Sequence, residues 1–165
     1  MVLIGILFGG ALVLDQITKA LVRDGMVLGQ SIPLLGDTLR LTYVENPGIA
    51  FGIRLGNGTV FTVLSLLASL GIVVYLITHW DEPKGVKCGL ALILSGAFGN
   101  LIDRLLFGKV VDFIEMGIGR YRWPVYNVAD MAVVFGMAIL LITVFRMEKQ
   151  AQAQTQAQEA EPSTE

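Results

Sequence analysis

Residues 128–145 read VADMAVVFGMAILLITVF, and this largely apolar stretch decides the class of the protein because Asp130, near its start, is its only charged residue. A helix rises about 1.5 Å per residue, so roughly 18 residues cross a hydrocarbon layer about 30 Å thick. Lipid cannot satisfy backbone amides, so the stretch is predicted to span the membrane as a helix. Three similar stretches precede it: Val2 to about Leu21, Thr59 to Thr78, and Val86 to Ile102.

The composition supports a membrane protein. The 165 residues are 54% hydrophobic and 16% charged, with a mean hydropathy of +0.67, whereas soluble domains carry about a quarter charged residues. A formal charge of −2 and the lack of a basic cluster argue against nucleic acid as a partner. A single cysteine, Cys88, and a single histidine, His79, argue against a disulfide, a metal site or a Cys–His nucleophile.

The four stretches divide the chain into spans and loops. The first is interpreted as a retained helix rather than a signal peptide, because no basic residue precedes it and Asp15 lies inside it. Alternation in Leu39–Val44 predicts short strands outside the bilayer, within the segment 22–58. The segment 105–126 is expected to lie outside as well. Residues 1–149 would form one membrane-embedded domain, and the polar segment 150–165 a disordered tail or a frayed helical extension.

Two polar motifs lie in the first half of the chain. Ionisable residues beside membrane spans are functional candidates by default because they are costly there. In DQITK (15–19), Asp15 and Lys19 are four residues apart on one helix face, and a structural ion pair is favoured over catalysis. In NPGIAFG (46–52), Asn46 begins a turn that is either an ordinary loop or a surface that grips an extended peptide.

A third motif, GAFGNLIDR (96–104), ends the third apolar stretch. Gly96 and Gly99 would permit close helix packing. Asn100, Asp103 and Arg104 project to one side of a helix. They could form a functional surface or simply a polar helix end held by an Asp–Arg pair.

The fourth and fifth motifs are VVDF (110–113) and YNVAD (126–130), and each holds one carboxylate, Asp112 and Asp130. Alone, Asp112 could be a solvated loop residue and Asp130 a first-turn helix cap. Together they suggest a dyad in which one carboxyl keeps a proton. The ionised member would take a proton from water while the other polarises a scissile carbonyl. Asp103 is a rival second member, and spacing does not decide between it and Asp112.

The five motifs, in this order, resemble those of the bacterial lipoprotein signal peptidases (signal peptidase II), an aspartic peptidase family, over residues 2–146. The departures are small: Pro47 within the NxG motif, and Tyr126 where the family often has Phe. The resemblance implies an α-helical membrane protein with four transmembrane helices and a small extramembrane β-cradle. It also implies a multi-pass protein of the bacterial inner membrane, with cytoplasmic termini and its active site on the outer face.

The same resemblance implies roles for individual residues. Asp112 and Asp130 would be catalytic. The residues that would contact substrate are Asn46, Asn100, Arg104 and Asn127. The residues that would support the fold are Asp15, Lys19 and Asp103. The substrate would be a prolipoprotein whose cysteine carries diacylglyceryl, cut just before that cysteine, with no cofactor. The expected surroundings are membrane lipids, and we expect a monomer.

Two other functions remain open at this stage, as does the orientation. A small non-enzymatic transporter or channel, with Asp15, Asp103 and Asp130 as its ion pathway, would need polar residues near the middle of several helices, whereas here they gather at helix ends. A membrane scaffold would explain the helices but not five polar motifs on one face. The positive-inside rule opposes the implied topology, since it favours the long loops as the cytoplasmic side. Basic residues of the long loops and adjoining helix ends are Lys19, Arg23, Arg40, Arg54, Arg104, Lys109, Arg120 and Arg122, against Lys84, Lys87, Arg146 and Lys149 on the side of the termini.

Overall fold

Four helices form the body of the computed structural model, which describes residues 2–50, 53–54 and 58–160. They are α1 (Val2–Gly25), α2 (Gly58–Thr78), α3 (Lys84–Phe107) and α4 (Val128–Ala160). Each is long and apolar enough to cross a membrane. The four predicted spans are therefore confirmed, and α1 and α3 extend about one turn beyond the apolar stretches.

Helix α3 is central and packs most extensively against α4, then α1 and α2. Glycines permit the closest approach to α4. A Cβ on Gly89 would lie 2.8 Å from the carbonyl oxygen of Gly136, and a Cβ on Gly96 would overlap the carbonyl oxygen of Ala129. A Cβ on Gly99 would overlap the Asp15 carboxylate of α1. The expectation that Gly96 and Gly99 allow close packing is confirmed.

A four-stranded antiparallel sheet covers one end of the bundle. Its order is β1 (Ser31–Leu35), β2 (Leu39–Asn46), β5 (Val110–Ile118) and β6 (Tyr121–Arg122). A separate hairpin pairs β3 (Ile49–Ala50) with β4 (Ile53–Arg54). The predicted strand Leu39–Val44 lies within β2, so this part of the β-cradle is confirmed.

The sheet is fixed to the bundle by a small apolar cluster. Val22 of α1 packs with Tyr43 of β2 and with Val111 and Phe113 of β5, all buried. Alternate residues of a strand point to opposite faces. Asp112, between two of these core residues, therefore projects from the other face.

A bulge in β5 joins the sheet to the start of α4. The backbone N–H groups of Phe113 and Ile114 both donate to the Tyr126 carbonyl oxygen, at 3.0 and 2.7 Å. Two residues against one is the arrangement of a β-bulge. Because Tyr126 is held there, Asn127 and the first turn of α4 come to lie beside Asp112.

The polar C-terminal segment is helical through Ala160, with side chains exposed through Gln156. Ala, Gln and Glu are good helix formers, and the first proline after this segment is Pro162, so the sequence lets α4 continue. Residues 150–160 thus take the helical form rather than the disordered one. The domain boundary at residue 149 stays a prediction.

Candidate active site

Polar side chains that are distant in sequence meet where the sheet covers the bundle. The C-terminal halves of α1 and α3, the first turn of α4 and the strands β2 and β5 all contribute. Five of these side chains are at most 3% exposed: Asp15, Lys19, Asp103, Asp112 and Asn127. Buried charges need partners, and the hydrogen bonds described next supply them.

Lys19 lies at the centre of a buried ion cluster. Its Nζ is 2.9 Å from Asp15 Oδ2 and 3.3 Å from Asp103 Oδ2. It also donates to Asn100 Oδ1 at 2.9 Å. The predicted Asp15–Lys19 ion pair is therefore present, and Asp103 of α3 is a second anionic partner.

The two carboxylates of the cluster also hold backbone groups. Asp15 Oδ1 accepts a hydrogen bond from the Ala129 N–H at 2.8 Å, at the start of α4. Asp103 Oδ2 accepts one from the Val111 N–H at 3.0 Å, in β5. Through these bonds the cluster fixes α4 and β5 relative to α1 and α3.

Asn127 bridges the other two carboxylates. Its Nδ2 donates to Asp112 Oδ1 at 2.7 Å, and its backbone N–H donates to Asp130 Oδ2 at 3.1 Å. The Asp130 N–H in turn donates to Asn127 Oδ1 at 3.0 Å. This reciprocal pair is a capping box, with Asn127 as the N-cap of α4. The first-turn position expected for Asp130 is confirmed.

Two further asparagines complete the donors to these carboxylates. Asn46 Nδ2 donates to Asp112 Oδ2 at 3.0 Å, and its Oδ1 accepts from the Gly48 N–H at 2.9 Å. Asn100 Nδ2 donates to Asp130 Oδ1 at 2.8 Å. Each oxygen of both carboxylates thus has an amide donor.

The environments of the two carboxylates differ. Asp112 is buried, and burial, together with the nearby charge of Asp130, raises its pKa to about 7. Asp130 is half-buried and lies in the first turn of α4, where backbone N–H groups favour negative charge. The arrangement can hold one protonated and one ionised carboxyl.

Arg104 lies at the edge of this site and is half-buried. Its guanidinium is 3.4 Å from the Asn100 carbonyl oxygen and 5.9 Å from the centre of the Phe61 ring. Its charge interacts with those of Asp130 and Asp112. A cation there can attract an oxygen atom of a bound molecule.

All nine residues singled out in the sequence belong to this one network, although their division into catalytic, binding and supporting groups stays a prediction. In the NPGIAFG motif, Phe51 and Gly52 lie outside the described residues. Among the described residues, no group of three or more His, Cys, Asp or Glu side chains could hold a metal ion.

Two members of the network, Gln16 and Arg23, were not among the predicted site residues. Gln16 Nε2 donates to Asp15 Oδ2 and to the Gly99 carbonyl oxygen, both at 3.1 Å. An Arg23 nitrogen lies 3.7 Å from Asp103 Oδ1. Arg23 follows Lys19 by four residues, so the same helix-face rule that paired Asp15 with Lys19 would have found it.

Comparison with known proteins agrees with this picture. Lipoprotein signal peptidases of Syntrophus aciditrophicus and Moorella thermoacetica are 40% and 45% identical over 147 and 130 residues. The alignments cover 86% and 78% of this chain and 91% and 83% of the relatives. A solved bacterial membrane enzyme, determined by the in meso method at 2.3 Å resolution, superposes with a TM-score of 0.78 at 30% identity, covering 85% of each chain.

The matching family model covers most of the bundle and the whole of the site. It carries the description signal peptidase (SPase) II and matches residues 7–146, which include all five motifs. With this match and relatives of this similarity, the chain belongs to the signal peptidase II family.

Proposed function

We propose that the protein is an aspartic endopeptidase that removes the signal peptide from prolipoproteins. The bond cut lies just before a cysteine that carries a diacylglyceryl group. The observation that carries the proposal is the bridge made by Asn127, which holds Asp112 through its side chain and Asp130 through its backbone. The relatives named lipoprotein signal peptidases support the substrate class.

In the proposed resting state Asp112 holds a proton and Asp130 is ionised. Burial beside a second carboxylate favours the neutral form of Asp112, whose pKa is raised to about 7. Asp130 accepts hydrogen bonds from Asn100 and from the Asn127 backbone at the N-terminus of α4, which favours its charged form.

The reaction then proceeds in two steps. Asp130 takes a proton from water as the water oxygen attacks the scissile carbonyl carbon, and Asp112 gives its proton to the carbonyl oxygen. In the second step Asp112 regains a proton from a hydroxyl of the tetrahedral intermediate. Asp130 gives its proton to the leaving nitrogen as the C–N bond breaks, and the starting protonation is restored.

The site's position at one end of the bundle suits a lipidated substrate. The acyl chains would stay in lipid while the peptide crosses the cradle, with Asn46, Asn100 and Arg104 as contacts. The described polar network lies in the C-terminal halves of α1 and α3 and at the start of α4, which does not favour an ion pathway through the whole bundle. We place the network on the outer face of a bacterial inner membrane, with the termini in the cytoplasm.

The test is cleavage of a synthetic diacylglyceryl-modified precursor by purified protein. Asp112→Asn and Asp130→Asn should each fold and each lose cleavage, because either change removes one of the two proton carriers. Asp24→Asn is the matched control, since Asp24 is an exposed carboxylate in the last turn of α1, at the end of the bundle where the candidate site lies. Cleavage retained by either dyad variant would overturn the assignment, and cleavage of an unlipidated precursor at equal rate would overturn the substrate class.

A further inference from the structure

We propose that Lys19 is a positioning residue for the reaction: it fixes the orientation of the Asn100 side-chain amide so that the amide NH₂ points at Asp130. The inference rests on the proposed function, because it assigns Asp130 the role of the ionised carboxylate. Lys19 would act through Asn100 and not by contact with substrate.

The ammonium group of Lys19 determines which atom of Asn100 can face it. Lys19 is fully buried, and its Nζ has three partners: Asp15 Oδ2, Asp103 Oδ2 and Asn100 Oδ1, at 2.9, 3.3 and 2.9 Å. An ammonium has three hydrogens and cannot accept a hydrogen bond. Its three donors therefore match its three partners, and the atom of Asn100 that faces it must be an acceptor.

The Asn100 amide is held in one orientation by its three hydrogen-bond partners. Its Oδ1 accepts from Lys19 and from Asn127 Nδ2 at 3.1 Å, and its Nδ2 donates to Asp130 Oδ1 at 2.8 Å. If the amide were turned over, its NH₂ would face two donors and its oxygen would face a carboxylate. All three contacts would then be repulsive, so the buried site stabilises one orientation only.

This orientation of the Asn100 amide matters for the proposed attack of water on the scissile carbonyl. The hydrogen bond from Asn100 Nδ2 stabilises the negative charge on Asp130, which the proposed first step requires. Asn127 alone would hold the amide less firmly, because its Nδ2 also donates to Asp112 Oδ1 and to the Val111 carbonyl oxygen. Lys19 thus supplies the strongest constraint on the donor to Asp130.

The charges that face Lys19 determine how it can be tested. Asp15 faces the Lys19 ammonium from α1, and Asp103 faces it from α3. Arg23 lies near Asp103. The charge of Lys19 also acts on Asp112. Removing Lys19 alone leaves two buried carboxylates without their cation and can prevent folding. The double variant Lys19→Met/Asp103→Asn removes one positive and one negative charge together.

The experiment compares this double variant with Asp103→Asn, which retains Lys19. We measure kcat, KM and the pH dependence of kcat on the lipidated precursor, together with thermal unfolding. In the double variant we expect kcat to fall about tenfold or more, which is the typical effect of losing a hydrogen bond to a charged group. KM should change little, and the pH dependence of kcat should differ from that of Asp103→Asn, because Asp130 loses the amide donor that stabilises its charge.

Two further variants separate positioning from stability. Lys19→Arg keeps the charge and offers only donors, so per folded molecule it should keep the wild-type pH profile. Arg23→Gln removes the other cation near Asp103 and should lower stability without moving that profile. If the double variant does not fold, Lys19→Gln/Asp103→Asn replaces it, because the charges stay balanced and the Gln amide offers an acceptor that lets Asn100 turn over.

The outcomes distinguish this inference from the proposed function. An unchanged kcat and pH profile in folded protein that lacks Lys19 would make Lys19 purely structural and overturn the inference. If instead Asp112→Asn or Asp130→Asn remained active, the proposed function itself would fail, whatever the Lys19 variants did.

Discussion

At the scale of single residues, the carboxyl group of Asp112 has an environment that determines when it can act. It is buried beside a second carboxylate, and its pKa is raised to about 7. Below that pH the group is protonated, as the proposed reaction requires, and above it the group ionises. We therefore expect kcat/KM to fall as the pH rises through about 7, measured with the lipidated precursor.

Asn46 provides an internal check on this assignment. Its amide donates to Asp112 Oδ2 at 3.0 Å, and this hydrogen bond favours the ionised form, thereby lowering the pKa of Asp112. In Asn46→Ala the pKa should rise, so the fall in rate should move to higher pH. A fall that stays in place would mean that another group controls the basic side of the profile.

Asp103 is the buried carboxylate of α3, and its contacts are those of a structural group. It holds the Val111 N–H and the Lys19 ammonium. Asp103→Asn keeps the shape but removes the charge, so we expect a lower midpoint of thermal unfolding and less protein in the membrane. Cleavage per folded molecule should survive. Full loss of cleavage at normal abundance would make Asp103 catalytic instead.

The sequence could predict the local part of this network but not its assembly. The four-residue spacing was enough to pair Asp15 with Lys19. It could not tell whether Asp103 or Asp112 lies beside Asp130, because that depends on β5 and its bulge, which bring Tyr126 and Asn127 to Asp112. The pairing register of strands that are distant in sequence cannot be predicted from any single motif.

At the scale of elements, Gly89 of α3 and Gly136 of α4 face each other at the contact between the two helices. A Cβ on Gly89 would lie 2.8 Å from the Gly136 carbonyl oxygen, and one on Gly136 would lie 2.6 Å from that of Gly89. Gly89→Ala should therefore push the helices apart and destabilise the protein by about 1–3 kcal/mol. Thermal unfolding in detergent measures the effect.

Gly10 of α1 is the matched control for this prediction. A Cβ there would meet nothing within 4 Å, and Ala is the better helix former. Gly10→Ala should leave stability equal or slightly higher. Equal effects of Gly10→Ala and Gly89→Ala would contradict close packing as the reason for glycine at position 89.

The helices could be predicted from the sequence more completely than the strands. Apolar length located all four helices, since lipid imposes that requirement on each span separately. The end of α3 was placed too early, because Asp103 and Arg104 suggested an interface, whereas the helix continues to Phe107 and ends where Gly108 adopts φ 72°. Strand β5 was expected only as an extramembrane segment, because its apolar start, VVDF, does not alternate.

At the scale of the whole molecule, the distribution of basic residues becomes understandable once their partners are known. Five of those near the long loops form ion pairs within the folded site or sheet, and these are Lys19 with Asp15, Arg23 with Asp103, Arg40 with Asp37, Lys109 with Glu45 and Arg122 with Asp37. Among the described residues, the exposed cations outside such pairs are Lys84, Arg146 and Lys149 on the side of the termini and Arg120 on the side of the long loops. Residues that serve a folded site report poorly on orientation, so the exposed cations are the better guide.

The exposed cations predict the orientation of the protein in the membrane. Four spans place both termini on one side, and we expect that side to be cytoplasmic because it carries more of the exposed cations outside ion pairs. A fluorescent protein fused after Gln150 should therefore fluoresce, and alkaline phosphatase fused there should be inactive, because phosphatase matures only outside the cytoplasm. Phosphatase inserted at Arg120, in the exposed turn between β5 and β6, should be active instead. The reverse pattern would place the candidate active site in the cytoplasm, where a signal peptide exposed on the outer face could not reach it, and would contradict the proposed function together with the topology.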